Sequence, residues 1–131
     1  MTPIKTAHVS GHLDLTKEEF YRYYVPTIDR FLQQAQEQRY TARFIVCDAR
    51  GADRYFWKFM TMLALEDQVT IYHMFEAPRF GADHTNLVGG FISDTERDAA
   101  ATAASDLDIA WVRPGREDSG TARNIRRRTQ C

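Results

Sequence analysis

Short apolar runs alternate along the chain with longer stretches in which apolar residues recur at helical spacing. The runs predict four β-strands, TAHVSG (6–11), RFIVC (43–47), QVTIYHMF (68–75) and LDIAWV (107–112). The periodic stretches predict helices over residues 15–38, 52–66 and 93–106, and a final helix near Thr121. Strands that alternate with helices are typical of a mainly parallel sheet. The pattern therefore predicts an α/β fold, a three-layer sandwich with about four or five strands, as one domain over residues 1–131.

Polar residues and one proline mark where the predicted helices start or break. Thr16 with Glu19, and Ser93 with Glu96, have the spacing of a capping box at a helix start. Pro26 has no backbone N–H to donate, so it must kink or split the helix over 15–38.

The loops that follow the predicted strands carry most of the candidate chemistry. Ligands of doubly wound sheets bind outside the carboxyl ends of the strands. Those ends lead into SGHLD (10–14), DARGAD (48–53) and RPGREDSGT (113–121), which combine glycine with hydrogen-bonding or charged groups. The stretch 76–93 follows the third strand and is predicted to be a long, Gly-containing loop, a kind that is often functional. We therefore expect these loops to form one ligand-binding rim.

The segment SGT before the final helix is the clearest candidate for binding an anion. Gly120 lets the backbone approach a ligand closely, and Ser119 and Thr121 offer hydroxyl groups. Helix N-termini attract phosphate through their unpaired N–H groups and the helix dipole. The alternative is an ordinary helix cap, because any helix favours a hydroxyl residue at this position.

The segment DARGAD offers further ligand-binding candidates. The planar guanidinium of Arg50 suits phosphate or carboxylate, and a surface ion pair with Asp48 or Asp53 is the alternative. Asp53 is also the expected cap of the second helix, and Gly51 is expected to take a positive φ in the turn.

The loop after the first strand supplies the remaining part of the expected pocket. Ser10 and Gly11 are placed at its floor, and His12 either contacts a ligand or caps the turn. No spacing typical of metal ligands is present among the four histidines, His8, His12, His73 and His84. We therefore expect no metal and no other cofactor.

The cysteines and the apolar runs bear on the cellular compartment. Cys47 and Cys131 lie far apart, which is no disulfide framework, and Cys47 is expected in the core rather than as a nucleophile. No apolar run approaches the roughly 18 residues needed to span a bilayer, and no secretion signal is recognisable. These features predict a cytoplasmic protein without a membrane partner.

The net charge of −1 is unevenly distributed along the chain. Residues 113–131 contain six arginines and two acidic residues, whereas the first 112 residues contain 11 basic and 16 acidic ones. A basic end on an acidic body can attract a phosphate or a nucleic-acid backbone. A solvated terminal helix is the alternative interpretation.

Three segments together resemble the SLOG superfamily, and within it the cpYpsA-related branch of small stand-alone proteins. They are HVSGHLDLT (8–16), FIVCDARGADRYFWKFM (44–60) and ERDAAATAASDLDIAWVRPGREDSGTARNIRRR (96–128). The resemblance implies a Rossmann-like fold and a pocket for a nucleotide or a nucleotide-derived ligand. Carried over by position, it implies a role in binding for the residues Ser10, Gly11, Gly51, Ala52, Asp53, Arg97, Ser119, Gly120 and Thr121.

The chain departs from the family pattern in two places. Members often carry glycines before ARGAD, where this chain has Cys47 and Asp48, so the pocket floor is expected to be narrower. Related phosphoribohydrolases and deoxyribosyltransferases carry a catalytic Glu at the position of Asn124. Asn can only donate and accept hydrogen bonds, so another carboxylate would have to replace that Glu, and the candidates are Asp48, Asp53 and Asp98.

Three hypotheses follow. The first is a nucleotide-binding module, for instance a sensor, in which Arg50, Arg97 and Asn124 join the phosphate-binding turn. The second is an enzyme that cleaves or transfers an N-glycosidic bond of a nucleotide. The third is a nucleic-acid-associated protein that would use Arg123, Arg126, Arg127 and Arg128. The net negative charge of the chain argues against it. A homo-oligomer is expected only from the base rate for soluble proteins.

Overall fold

An all-parallel sheet of five strands forms the centre of the computed structural model, which describes residues 2–129. Its strands are β1 (Ile4–Val9), β2 (Thr41–Cys47), β3 (Val69–Met74), β4 (Leu87–Phe91) and β5 (Leu107–Ile109). They lie in the order β4-β3-β2-β1-β5. Helices cover both faces, so the predicted Rossmann-like three-layer α/β fold is confirmed.

The helices are α1 (Lys17–Tyr23), α2 (Val25–Gln38), α3 (Ala52–Met62), α4 (Asp94–Ala103) and α5 (Gly120–Thr129), and a 3-10 turn spans Glu66–Gln68. The expected break at Pro26 is confirmed, because the first helical stretch splits at Tyr24 and Pro26 lies in the first turn of α2. The capping box of Thr16 and Glu19 is present with both of its hydrogen bonds.

The strand β4 corrects the prediction of a continuous loop over 76–93. Leu87 and Val88 pair in parallel register with Ile71 and Tyr72 of β3. A Cβ atom at Gly89 would overlap with the ring of His73, so this edge strand requires a residue that is usually typical of loops.

One face of the sheet carries a large aromatic core under α1, α2 and α3. Phe44 of β2 lies 5.2 Å from Phe56 of α3 and 5.4 Å from Phe31 of α2, measured between ring centroids. Phe20 of α1 stacks on Tyr24 at 5.4 Å. These side chains are buried, and together they form the main hydrophobic cluster.

The opposite face lies under α4 and α5 and has few buried apolar residues. Its hydrophobic cluster consists of Ile45, Cys47 and Ala101 with the partly buried Tyr72. Because side chains alternate along a strand, β1 directs Ala7 and Val9 into the aromatic core and His8 to this second face.

The strand order reverses between β1 and β5, since the chain builds β2, β3 and β4 on one side of β1 and then places β5 on the other. Loops that leave the carboxyl ends of strands at such a point diverge and form a crevice. Among residues 2–129, no helix is long and apolar enough to span a membrane.

Candidate functional site

A cavity of about 500 Å³ lies at the carboxyl edge of the sheet, where the strand order reverses. Its walls come from the loops after β1 and β2, the first turns of α4 and α5, and the segment before α5. Nine predicted site residues line it, namely Ser10, Gly11, His12, Asp53, Arg97, Ser119, Gly120, Thr121 and Asn124. The three loops singled out in the sequence thus meet at one cavity.

Four predicted residues lie outside the cavity lining, namely Asp48, Arg50, Gly51 and Ala52. The Arg50 side chain is exposed, so the structure does not bring it to the other candidates. Asp48 is buried in an ion pair. Gly51 has the expected positive φ of 75°, and a Cβ there would overlap with the carbonyl oxygens of His12 and Leu13. Gly51 therefore lets the loops after β1 and β2 pack together, which is a structural role.

Gly11 lines the cavity, yet its lack of a side chain serves packing. A Cβ at Gly11 would overlap with the hydroxyl of Tyr24 and with Ala52. Behind it, the Tyr24 hydroxyl donates to the carbonyl of Ser10 at 2.7 Å and accepts from the N–H of Trp111 at 3.1 Å. These bonds fix the cavity floor to the aromatic core.

The N-terminus of α5 forms one end of the cavity. Ser119 caps this helix, because its Oγ accepts from the N–H of Ala122 at 3.2 Å. Within residues 2–129 no acceptor meets the N–H groups of Gly120 and Thr121. Arg116 and Arg123 also line the cavity. This end thus combines free N–H donors, the positive end of the helix dipole and two guanidinium groups.

The floor of the cavity is formed by His8 and Ser10, which follow each other on the same face of the β1 segment. His8 is fully buried, and its Nδ1 lies 3.5 Å from Thr102 Oγ1 and 3.7 Å from Asp108 Oδ1. Neither His8 Nε2 nor Ser10 Oγ has a hydrogen-bond partner within residues 2–129. Burial lowers the pKa of His8 to about 4, despite the nearby carboxylate of Asp108, so His8 is neutral at pH 7.

An acidic cluster around Arg97 forms the wall opposite α5. The buried guanidinium contacts Asp48 at 2.9 Å, Asp94 at 3.1 Å and Asp98 at 3.1 Å. Asp48 also accepts the N–H of Arg79 at 3.2 Å. Three carboxylates already surround Arg97, so this arginine holds α4 against the loop after β2 and is poorly placed to attract a further anion.

Asp53 does not cap α3, and that expectation is wrong. The N-cap is Gly51, without any side-chain bond, whereas Asp53 Oδ2 accepts the N–H of Ala49 at 3.2 Å in the preceding turn. Burial raises the pKa of Asp53 well above its usual value, although Arg97 opposes this shift. Burial therefore favours the protonated form of Asp53 in the cavity wall.

His12 links two of the loops. Its Nε2 accepts the N–H of Arg113 at 2.8 Å, which assigns the ring proton to Nδ1. Burial, and then the charges of Arg116 and Arg113, lower its pKa. The side chain of Arg113 binds Glu19 at 2.7 Å, which connects the same loop to the capping box of α1.

Asn124 and Cys47 also line the cavity. Asn124 has a hydrogen-bond partner in its own helix, and Cys47 is an uncharged thiol. Asn124 Oδ1 accepts from Arg127 at 2.6 Å. The Asn124 amide, which stands where phosphoribohydrolases of the SLOG superfamily carry a catalytic Glu, is thus held by a residue of its own helix. Burial raises the pKa of the Cys47 thiol well above its usual value, and the carboxyl groups of Asp53 and Asp98 add to this shift. Cys47 is therefore an uncharged core thiol, and Cys131 lies outside the described residues.

The arginines of α5 also bind protein atoms. Arg128 forms a bidentate pair with Asp108 at 2.8 and 3.1 Å and donates to Ser105 Oγ at 2.7 Å. Arg123 donates to the carbonyl of Asp118, and Arg126 to that of Glu117. These contacts fasten α5 to its surroundings.

The sequence did not assign His8, Arg116 or Arg123 to the site. A signal for His8 was present, since His8 and Ser10 alternate with the apolar Ala7 and Val9 in a predicted strand. No comparable signal exists for the arginines, because their position depends on how the loop before α5 folds.

Within the described part of the chain, no group of three or more His, Cys, Asp or Glu side chains could hold a metal ion. No protein-family model matches the chain, and neither the curated proteins nor the solved structures contain a significant match. The resemblance to the SLOG superfamily therefore stays a prediction.

Proposed function

We propose that this protein binds a nucleotide or a nucleotide-derived small molecule, with a phosphate group at the N-terminus of α5. One observation carries the proposal: the N–H groups of Gly120 and Thr121 are unpaired within residues 2–129, and both residues line the cavity together with Arg116 and Arg123. A helix N-terminus alone is a common feature. Here it lies beside two guanidinium groups at a cavity where the strand order reverses, which is where ligands of doubly wound sheets bind.

The size and charge of the cavity agree with such a ligand. A volume of about 500 Å³ lies within the usual range of small-molecule pockets, about 300–1,000 Å³. Positive charge from Arg116 and Arg123 lies with the α5 end, whereas the wall around Arg97 is occupied by its own carboxylates. A molecule with one anionic end and one polar, uncharged end matches this distribution.

The arrangement supports binding more strongly than N-glycosidic cleavage. A carboxylate near the sugar would have to stabilise the developing positive charge. Asp48 is outside the lining and paired with Arg97, and burial disfavours the charged form of Asp53. Asp98 is the one of the three candidates that both lines the cavity and forms an ion pair as a carboxylate. If the protein were an enzyme of this kind, Asp98→Asn would abolish release of the base.

Calorimetry with AMP and adenosine tests the proposal. We expect AMP to bind and adenosine to bind at least tenfold more weakly, because charge-assisted hydrogen bonds contribute about 1.5–3 kcal/mol. The double variant Arg116→Gln, Arg123→Gln should weaken AMP binding by roughly 10–100-fold while adenosine is unaffected.

Arg126→Gln is the matched control. Arg126 lies on the same helix as Arg123 and also donates to a backbone carbonyl, but it does not line the cavity. Its replacement should leave AMP affinity within about twofold at physiological salt. No AMP binding at millimolar concentration, or an equal loss in the control, would refute the proposed site.

A further inference from the structure

The two edges of the sheet are protected to different degrees. Unpaired backbone groups at a sheet edge are a template for a further strand, and short edge strands and charged side chains prevent such pairing. The edge strand β5 spans only Leu107–Ile109 and carries Asp108, whose carboxylate is held by Arg128 of α5. The opposite edge strand, β4, is longer, and among residues 2–129 no sixth strand pairs with it. The β4 edge is therefore the one that remains open.

The sequence of β4 contains none of the residue types that usually keep edge strands apart. Residues 85–92, TNLVGGFI, include no charged side chain and no proline. Residues 88–90 are exposed, and Ile92, directly after the strand, is 74% exposed. This edge thus presents open backbone together with apolar side chains.

The alternation of backbone groups along β4 decides which of them face outwards. The N–H of Ile71 in β3 bonds to the carbonyl of Asn86, and Ile71 pairs in register with Leu87. In a parallel ladder this pattern directs the backbone groups of Asn86 and Val88 towards β3. The N–H and C=O groups of Leu87 and Gly89 alternate with them and point away from the sheet.

The bulge in β4 begins only after Val88, which still pairs in register with Tyr72. A Cβ atom at Gly89 would overlap with the ring of His73, the next residue of β3. Gly89 therefore continues the ordinary alternation of the strand. The segment 87–89 accordingly offers two outward-facing residues, each with one N–H donor and one C=O acceptor.

We infer that two copies of this chain pair through β4 in antiparallel register, around a two-fold axis between their Val88 residues. Leu87 then lies opposite Gly89 of the partner subunit, and each such pair exchanges two N–H···O=C bonds. The axis generates a second, equivalent pair. The two Val88 side chains meet at the axis as a non-hydrogen-bonded pair with Cα atoms about 4.5 Å apart. Two five-stranded sheets thereby become one continuous sheet.

The composition of the segment favours its own copy as the partner strand. A strand that pairs with itself must bring neither like charges nor two large side chains together at the same position. No charged side chain occurs in residues 85–92, so no like charges face each other across the axis. The large side chain of Leu87 faces a glycine. Because few residues take part, we expect a weak dimer with a Kd of roughly 10–100 µM. This inference does not depend on the proposed ligand.

Sedimentation equilibrium of the full chain at about 1–500 µM tests the pairing, and we expect a monomer–dimer equilibrium. Val88→Lys and Val88→Glu each place two like charges at the axis, so each variant alone should dimerise roughly tenfold more weakly. An equimolar mixture of the two variants should recover the dimer, because opposite charges then face each other. A variant that had merely unfolded could not show this recovery.

Ile4→Lys is the matched control. Ile4 is also an exposed apolar residue of a strand, 61% exposed, but it lies in the central strand β1, so dimerisation should stay within about twofold of the wild type. In the wild type alone, hydrogen exchange at the Leu87 amide should slow as the protein concentration rises.

A monomer at every concentration overturns the inference, as does exchange at Leu87 that is independent of concentration. A mixture of the two Val88 variants that associates no better than either alone, or an equal weakening by Ile4→Lys, overturns pairing through β4.

Discussion

The two faces of the sheet differ in how completely their side chains are satisfied. Under α1, α2 and α3 the space is filled by packed aromatic rings, and the buried hydroxyls of Tyr24 and Tyr40 both have hydrogen-bond partners. Under α4 and α5 a cavity remains, with two unpartnered polar atoms on its floor. Stability therefore comes mainly from the first face, and the proposed ligand site lies on the second.

The division passes through single residues of the β1 segment. The Ser10 carbonyl accepts from Tyr24 on the aromatic side, while the Ser10 hydroxyl faces the cavity without a partner. Ala7 and Val9 pack into the aromatic core, and His8 between them lies on the other face. One strand thus contributes to the aromatic core with one face and to the cavity with the other. Substitutions on its two faces should therefore affect stability and ligand binding separately.

Truncating the aromatic face should give the largest loss of stability. Phe56 is fully buried against Phe44, and Phe56→Ala should lower the free energy of unfolding by about 4 kcal/mol through lost burial and the cavity left behind. Urea titration measures this loss, and AMP affinity of the folded protein should stay within about threefold. A loss below about 1 kcal/mol would contradict the assignment of stability to this face.

Breaking the acidic cluster should have the next largest effect. Arg97→Ala leaves the buried Asp48 carboxylate unpaired, so we expect a loss of about 3 kcal/mol in the free energy of unfolding. Arg50→Ala is the matched arginine control, and because Arg50 is exposed its loss should stay within about 0.5 kcal/mol. Equal effects of the two substitutions in urea titrations would refute a structural role for Arg97.

The pH dependence of stability should identify His8. Its pKa is 6.5 in an unfolded chain and about 4 in the folded protein, where burial and the charges of Arg128 and Arg127 outweigh Asp108 and Asp98. Below pH 6.5 the unfolded state binds the extra proton, so folding stability falls as the pH is lowered towards 4, by up to about 3 kcal/mol. Urea titrations from pH 4 to 7 should show this loss in the wild type and not in His8→Gln.

Asp53 should change folding stability with pH in the opposite direction to His8, and it serves as the comparison for His8. Its raised pKa means that the folded protein keeps a proton which the unfolded chain releases above about pH 4. This contribution decreases as the pH rises, so Asp53→Asn should make the gain in stability between pH 4 and 6.5 steeper. An unchanged or shallower slope would contradict a neutral Asp53.

Much of the fold could be predicted because its signals are local. The apolar runs located β1, β2, β3 and β5, and Thr16 and Pro26 located the start and the break of the first helical stretch. The strand β4 could not be predicted, because Gly89 and Gly90 are typical of loops. Gly89 is accommodated because the ring of His73 takes the space that its side chain would need, and Gly90 has a positive φ of 89°.

The site was predictable as a meeting of loops but not in its details. The parallel pattern indicated that the loops after β1, β2 and β5 would lie together. Whether Arg50 or Arg97 faces a ligand depends on the partners of each side chain, which can be distant in the sequence. Arg97, for example, pairs with Asp48, which is 49 residues away. Burial, which raises the pKa of Asp53 and lowers that of His8, is likewise a property of the assembled fold.

The central position of β1 has a consequence for the order in which the molecule can form during translation. Thr6 and Asp106 exchange hydrogen bonds although they are 100 residues apart. A nascent chain that has left the ribosome as far as Met74 already contains β1, β2, β3 and the helices of the aromatic layer. The other layer needs β5 and α5, and contacts between distant residues form late because loop closure is costly. A ligand at the proposed site therefore cannot guide early folding, since the cavity lining is complete only once synthesis has passed Arg127.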